Sequence, residues 1–134
     1  MIAYLFISGL LFGLVGLYSL IDPNAALGPT VGLHIDTINS FSQERGTAGG
    51  VTTAIGIFLI ASAHYRQLVL PALWMVVMVL GGLEAGRLTS LVLDGRPGGI
   101  IWFYMSVEIL GLLQGMYWLR QELSIKREIA SALP

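Results

Sequence analysis

The sequence predicts an all-α fold: a bundle of four transmembrane helices, with both termini on the cytoplasmic side and a short C-terminal amphipathic helix. Three observations predict it. Hydrophobic residues make up 55% of the chain and charged residues 11%, with a mean hydropathy of +0.79. Soluble domains carry roughly 25% charged residues, so this chain cannot cover its apolar area with a polar surface. Apolar runs recur four times, and each approaches or exceeds the ~20 residues that cross ~30 Å of hydrocarbon. Backbone amides in lipid must bond within their own segment, which makes the runs helices. At 134 residues the chain is read as a single membrane domain, 1–134.

The expected helices cover residues 2–21, 41–64, 67–93 and 99–122, with an outer loop at 22–40 and a tail at 123–134. The first run has no charged side chain. It lacks a basic leading segment and a small-residue cleavage site, which favours a retained helix over a signal peptide. Asp22-Pro23-Asn24 stops it, because proline has no N–H to donate and Asp and Asn favour turns. Gly28-Pro29 is expected to break the chain again, and Leu33-His34-Ile35-Asp36 alternates as a short extended piece would. Ser40-Phe41-Ser42-Gln43 has capping-box spacing and is expected to open the second helix. The third run ends at Asp94-Gly95-Arg96-Pro97-Gly98-Gly99, a tight turn.

Four spans place both termini on one side, together with the short loop His64-Tyr65-Arg66-Gln67. Arg66, Arg120, Lys126 and Arg127 fall on that side. Opposite them only Arg96 is clearly solvated, since Arg45 and Arg87 lie at or below the membrane boundary. Basic residues favour the cytoplasmic side, so the termini are assigned there. From Arg120 the fourth helix continues into the tail, where Glu122 and Lys126 form a favourable four-residue pair. A solvated helix end is favoured there over a partner-binding surface.

Composition also excludes. A net charge of −1 argues against nucleic-acid binding, which needs a basic patch. The absence of cysteine removes disulfides, thiolate catalysis and iron–sulfur clusters. His34 and His64 fall on opposite sides of the membrane and cannot share a haem. No metal site, catalytic residue or cofactor is expected, with a bound lipid or quinone left open. Seven aromatics near span ends fit an interfacial belt better than a pigment or quinone site.

Glycine numbers 17. Gly9, Gly13 and Gly16 line one face of the first helix, and Gly46, Gly49, Gly50 and Gly56 one face of the second. Gly111 and Gly115 form a Gly-x-x-x-Gly step on the fourth. Small residues let helix backbones approach where lipid gives no hydrophobic drive. Packing within the bundle is favoured over homodimerisation, though the same motif serves both.

The sharpest feature is polar. Glu84 and Arg87 lie inside the third run and Glu108 inside the fourth. Intramembrane charges are costly, normally paired, and functional candidates by default. Glu84 is nine residues before the end of its run and Glu108 nine after the start of the next, so both lie at about 13 Å depth at ~1.5 Å per residue. Glu84, Arg87, Leu91 and Asp94 share one helix face; Tyr104, Glu108, Gly111, Gly115 and Trp118 share another. If the faces meet, two carboxylates and Arg87 converge in the outer half of the bundle, joined by Arg45 if its long side chain points inward. Glu84 and Arg87 could also pair within their own helix. Two readings stand level: a neutralised network that fixes helix packing, or a polar site that binds a small ligand or moves a proton. Glu108, with no basic residue in its own run before Arg120, is the expected proton carrier of the pair.

The order of these residues also carries a resemblance. Asp22-Pro23, Arg45-x-x-x-Gly49-Gly50, Gly86-Arg87-Leu88-x-Ser90, Asp94-Gly95-x-Pro97 and Glu108 follow one another along nearly the whole chain. The series resembles an uncharacterised bacterial family of small four-helix membrane proteins, a domain of unknown function. The resemblance implies a bacterial inner-membrane protein and brings no catalytic assignment. Ser90, Asp94 and Tyr104 are taken as supporting residues around the Arg45, Glu84, Arg87 and Glu108 cluster.

The favoured function is a non-enzymatic membrane protein with a buried polar site for a small polar or lipidic ligand, or an accessory protein. One alternative is a structural subunit of a larger membrane complex, docking through glycine faces and the tail. Another is a proton-coupled transporter or membrane enzyme using Glu108. The expected partners are the lipid bilayer and a membrane protein or second copy, with no nucleic acid.

Overall fold

The computed structural model describes residues 1–32 and 34–132. All regular structure among them is helical: α1 (Ile2–Ile21), α2 (Pro23–Val31), α3 (Ile38–Glu44), a π-helical segment (Arg45–Val51), α4 (Thr52–His64), a single 3-10 turn (Arg66–Leu68), α5 (Val69–Leu93) and α6 (Gly99–Ala132). Four stretches are long and apolar enough to cross a membrane: Ile2–Ile21, Ile38–His64, Arg66–Leu93 and Gly99–Ser131. The chain divides into two compact units, one on each side of the Leu68–Val69 junction.

The first unit is a hairpin of α1 against the π segment and α4, and glycines set its register. A β-carbon added at Gly9 would fall within 2.8 Å of the Ile60 backbone nitrogen and 2.9 Å of the Gly56 oxygen. One added at Gly56 would run into the backbone of Gly13, and one at Gly16 into Thr53. Gly49 meets Leu20. As α1 advances its partners recede along the chain, so the two helices are antiparallel and touch backbone to backbone. The glycine faces do not act uniformly. A β-carbon at Gly13 or Gly46 would meet nothing within 4 Å. Gly13 matters as the surface that Gly56 lies on. The opposite face of α1 carries Ile7, Leu11, Leu14 and Val15, each more than half exposed, as a lipid-facing surface requires.

The expected outer loop is largely ordered. Asp22 ends α1, its N–H bonding Tyr18 O at 3.0 Å, and also starts α2, its Oδ1 accepting from Ala25 N at 3.0 Å. With proline at the first helical position this is a strong start signal, and α2 runs through Gly28-Pro29 without breaking. One missing donor does not outweigh it. Gly32, at φ 72°, closes the helix in the left-handed conformation that glycine tolerates. Asn24 then pins the return segment: its Oδ1 accepts from Ile35 N and its Nδ2 donates to Ile35 O, both at 2.9 Å. Leu33 lies outside the described residues, and 34–36 take no regular structure. The second span begins earlier than the Ser40 spacing suggested. Thr37 is the cap, its Oγ1 accepting from Ser40 N at 3.1 Å.

Arg45–Val51 winds as a π-helix, which no feature of the sequence announced. Gly49 lets this wide turn lie against Leu20, whereas a β-carbon at Gly46 would meet nothing.

The second unit is a hairpin of α5 and α6. Val69, Ala72, Leu73, Val76, Leu80 and Glu84 are buried at three- and four-residue steps along α5. Leu80 fills the notch at Gly111 of α6, where an added β-carbon would lie 3.2 Å from Leu80 Cδ1. Gly95, at φ 101°, turns the chain between them. α6 is one unbroken helix of 34 residues, ~51 Å long at ~1.5 Å per residue. The short C-terminal helix expected beyond Arg120 is, as the sequence suggested, a continuation of the fourth span. No glycine or proline follows Gly115 within it, so nothing stops the helix at the membrane edge.

Candidate functional site

The α5–α6 hairpin joins residues that its sequence holds 21 and 24 positions apart. Arg87 Nε donates to Glu108 Oε2 at 2.9 Å, and Arg87 Nη2 donates to Glu108 Oε1 at 2.7 Å. This is the parallel two-bond fork in which a guanidinium and a carboxylate bind most strongly. The pair is not sealed: the Arg87 side chain is 23% exposed and that of Glu108 20%. Nη1 is left over on the arginine.

Glu84 sits one turn before Arg87 and is only 6% exposed. Its cover comes from immediate neighbours rather than from a thick layer of protein. Glu108 and Arg87 both lie near enough to act on it electrostatically. Yet no N–H or O–H donor reaches either Glu84 oxygen; the polar group beside it is the Glu108 carboxyl. The reason is chemical: an ionised carboxylate offers acceptors only, so Glu108 and Glu84 cannot bond each other unless one of them carries a proton, and Arg87 has turned both of its bonds toward Glu108.

The faces expected from helical phase do meet, with a different pairing. The in-helix Glu84–Arg87 pair does not form, because Arg87 reaches across to α6 for a fork it cannot make three residues away. Glu108, expected to be the unpaired carboxylate, is the paired one. Glu84 is the orphan. Helical phase carried which faces the three residues share, and lacked only the rotation that chooses between two nearby carboxylates.

The supporting residues make other contacts. Ser90 Oγ donates to Asp94 Oδ2 at 2.8 Å on an exposed surface, helping end α5. Tyr104 packs its ring 6.1 Å from Phe103. Arg45 belongs to the first unit. Its Nε donates to Leu20 O at 3.1 Å, and its guanidinium carbon lies 5.5 Å from the Phe41 ring centroid. It satisfies one of the carbonyls left open at the end of α1, a role its position at a membrane boundary did not suggest. Gly115 is buried on α6, beside Gly111 on the same face. Among the described residues no group of three or more His, Cys, Asp or Glu side chains could hold a metal ion.

A family model described as a domain of unknown function, DUF4345, matches residues 2–119. The chain belongs to that family. The match contains the whole Glu84–Arg87–Glu108 cluster and stops inside α6, before its last 13 helical residues. No curated protein and no solved structure matches the chain.

Proposed function

We propose that this DUF4345 member is a bacterial inner-membrane protein, a four-helix bundle with cytoplasmic termini, whose Glu84–Arg87–Glu108 cluster binds a small polar or lipidic ligand. It acts as an accessory or binding protein and not as an enzyme. The observation that carries this reading is the unpartnered, buried Glu84 carboxylate beside an Arg–Glu fork that is still about one-fifth exposed. A network serving only to pack helices gains nothing from a second carboxylate, since a buried charge without a partner is costly. A binding site does gain: Glu84 offers acceptors and Arg87 Nη1 offers donors within one hairpin.

The test is gentle detergent extraction followed by native mass spectrometry of the wild-type protein and of Arg87→Lys. A small molecule bound in stoichiometric amount to the wild type, and lost from Arg87→Lys, is the expected result. Wild-type protein that carries no small molecule sinks the ligand reading.

A second reading, a subunit of a larger membrane complex, draws on α6. The helix is ~20 Å longer than the ~30 Å hydrocarbon layer needs, and it exposes Ile125 and Ile129 one turn apart near its end. A protein co-purifying in fixed ratio in the same experiment, and lost when residues 123–134 are removed, would establish that reading.

A further inference from the structure

We infer that the cluster holds one exchangeable proton, carried by Glu84 and donated as a hydrogen bond to the Glu108 carboxylate. This deepens the reading of the cluster as a site by naming what occupies the Glu84 side of it.

The argument begins with charge. Two ionised carboxylates and one arginine leave the cluster at −1. Glu84 is 6% exposed and has almost no water to offset its share of that charge, and the described groups that act on it are Glu108, which opposes its charge, and Arg87, which favours it. Arg87 is already committed to the fork with Glu108. One proton removes the excess charge. The second step is hydrogen bonding. With both carboxylates ionised, Glu84 and Glu108 offer only acceptors, so the four acceptor positions of Glu84 stay empty, as the geometry shows. A neutral Glu84 gains one O–H donor. Each Glu108 oxygen uses one lone pair on Arg87 and keeps another free to accept it. The same proton thus corrects the charge and supplies the missing bond.

The third step is selection between the two carboxylates. Protonating Glu108 would break the charge of the fork and leave Arg87 facing a neutral group. Protonating Glu84 leaves the fork intact. Exchange with water can run through Glu108, which is one-fifth exposed where Glu84 is nearly closed. The proton moves from Glu84 to a Glu108 oxygen and from there to solvent, and returns by the reverse route.

Infrared spectroscopy of the protein in lipid nanodiscs reads this directly, because a neutral carboxyl has a C=O stretching band that a carboxylate lacks. The wild type at neutral pH is expected to show such a band, shifted on exchange into D2O and absent from Glu84→Gln. Glu122, the other deeply buried carboxylate at 3% exposure, supplies the control: Glu122→Gln should keep the band. In Glu108→Gln the band should persist at a changed frequency, because its acceptor becomes an amide. That reading remains even if Glu84→Gln does not fold. No neutral-carboxyl band in the wild type, or one that Glu84→Gln leaves in place, overturns the inference. A wild type without the band but with a bound amine in the mass spectrum would overturn the proton and leave the ligand site standing.

Discussion

The two hairpins solve the same problem with opposite materials. In the first, α1 and α4 are held by the absence of side chains: Gly9, Gly16, Gly49 and Gly56 let backbones touch. In the second, α5 and α6 are held by side chains, with Leu80 in the Gly111 notch and the Arg87–Glu108 fork beyond it. Backbone contact in lipid is driven by dispersion and close fit, which is tight but chemically silent. An ionic fork costs desolvation and leaves unused valences behind. The two seams differ in what they leave open: the glycine hairpin leaves one uncharged hydroxyl, Thr53 Oγ1, without a partner, whereas the charged hairpin leaves the Glu84 carboxyl and a guanidinium nitrogen.

The largest effect should come from breaking the charged seam. Arg87→Ala leaves two carboxylates facing each other with no cation. Removing one partner of a buried pair costs ~3–5 kcal/mol, and the partial exposure here puts the loss near the lower end, at about 3 kcal/mol. Reversible SDS denaturation in bicelles measures it. Loss of under ~1 kcal/mol would show that water, not protein, compensates Glu108. Arg87→Lys keeps the charge and removes the two-bond geometry, so its loss should fall between those limits.

The glycine seam gives the next largest effect and the sharper contrast within one helix pair. Gly56→Ala drives a methyl group into the backbone of Gly13, where no side chain can move aside. Overpacking of that kind costs ~1–3 kcal/mol, and the backbone contact argues for ~2 or more. Gly13→Ala points its methyl group into open space, and removing a helical glycine is worth up to ~1 kcal/mol in its favour. The same denaturation measurement should separate the two variants by at least ~2 kcal/mol. Equal losses would mean that α1 and α4 approach symmetrically and that the register drawn here is wrong.

That contrast also marks how much was legible in the sequence. The four apolar runs, the all-helical class and the shared faces of Glu84, Arg87 and Glu108 follow from composition and a 3.6-residue period. Such a period reports which face a residue lies on, but not what waits opposite. Gly13 and Gly56 are therefore equivalent in sequence and opposite in structure. Glu108 looked unpaired because pairing was sought within a helix. Asn24, which fastens residue 35 through two hydrogen bonds, gave no signal beyond a turn-forming residue after proline. The π segment was likewise hidden, since Arg45-Gly46-Thr47-Ala48-Gly49-Gly50 states only that bulk is missing.

The smallest stability effect is expected at Glu84, the residue on which the proposed site rests. Glu84→Gln replaces a carboxyl group by an amide of nearly the same shape. If Glu84 is neutral and donates to Glu108, the amide donates in its place, and stability should change by less than ~1 kcal/mol. An ionised, unpartnered Glu84 predicts something else: neutralising it would relieve a buried charge and stabilise the hairpin by several kcal/mol. A glutamate whose job is to hold a cation against the helices predicts the third outcome, a clear loss. One denaturation curve thus separates a proton, an empty strained charge and a structural counter-ion at the same position. Measured beside Gly13→Ala, it also tests whether the two hairpins differ as described. Both variants should be close to silent in stability, and only Glu84→Gln should alter what the protein binds.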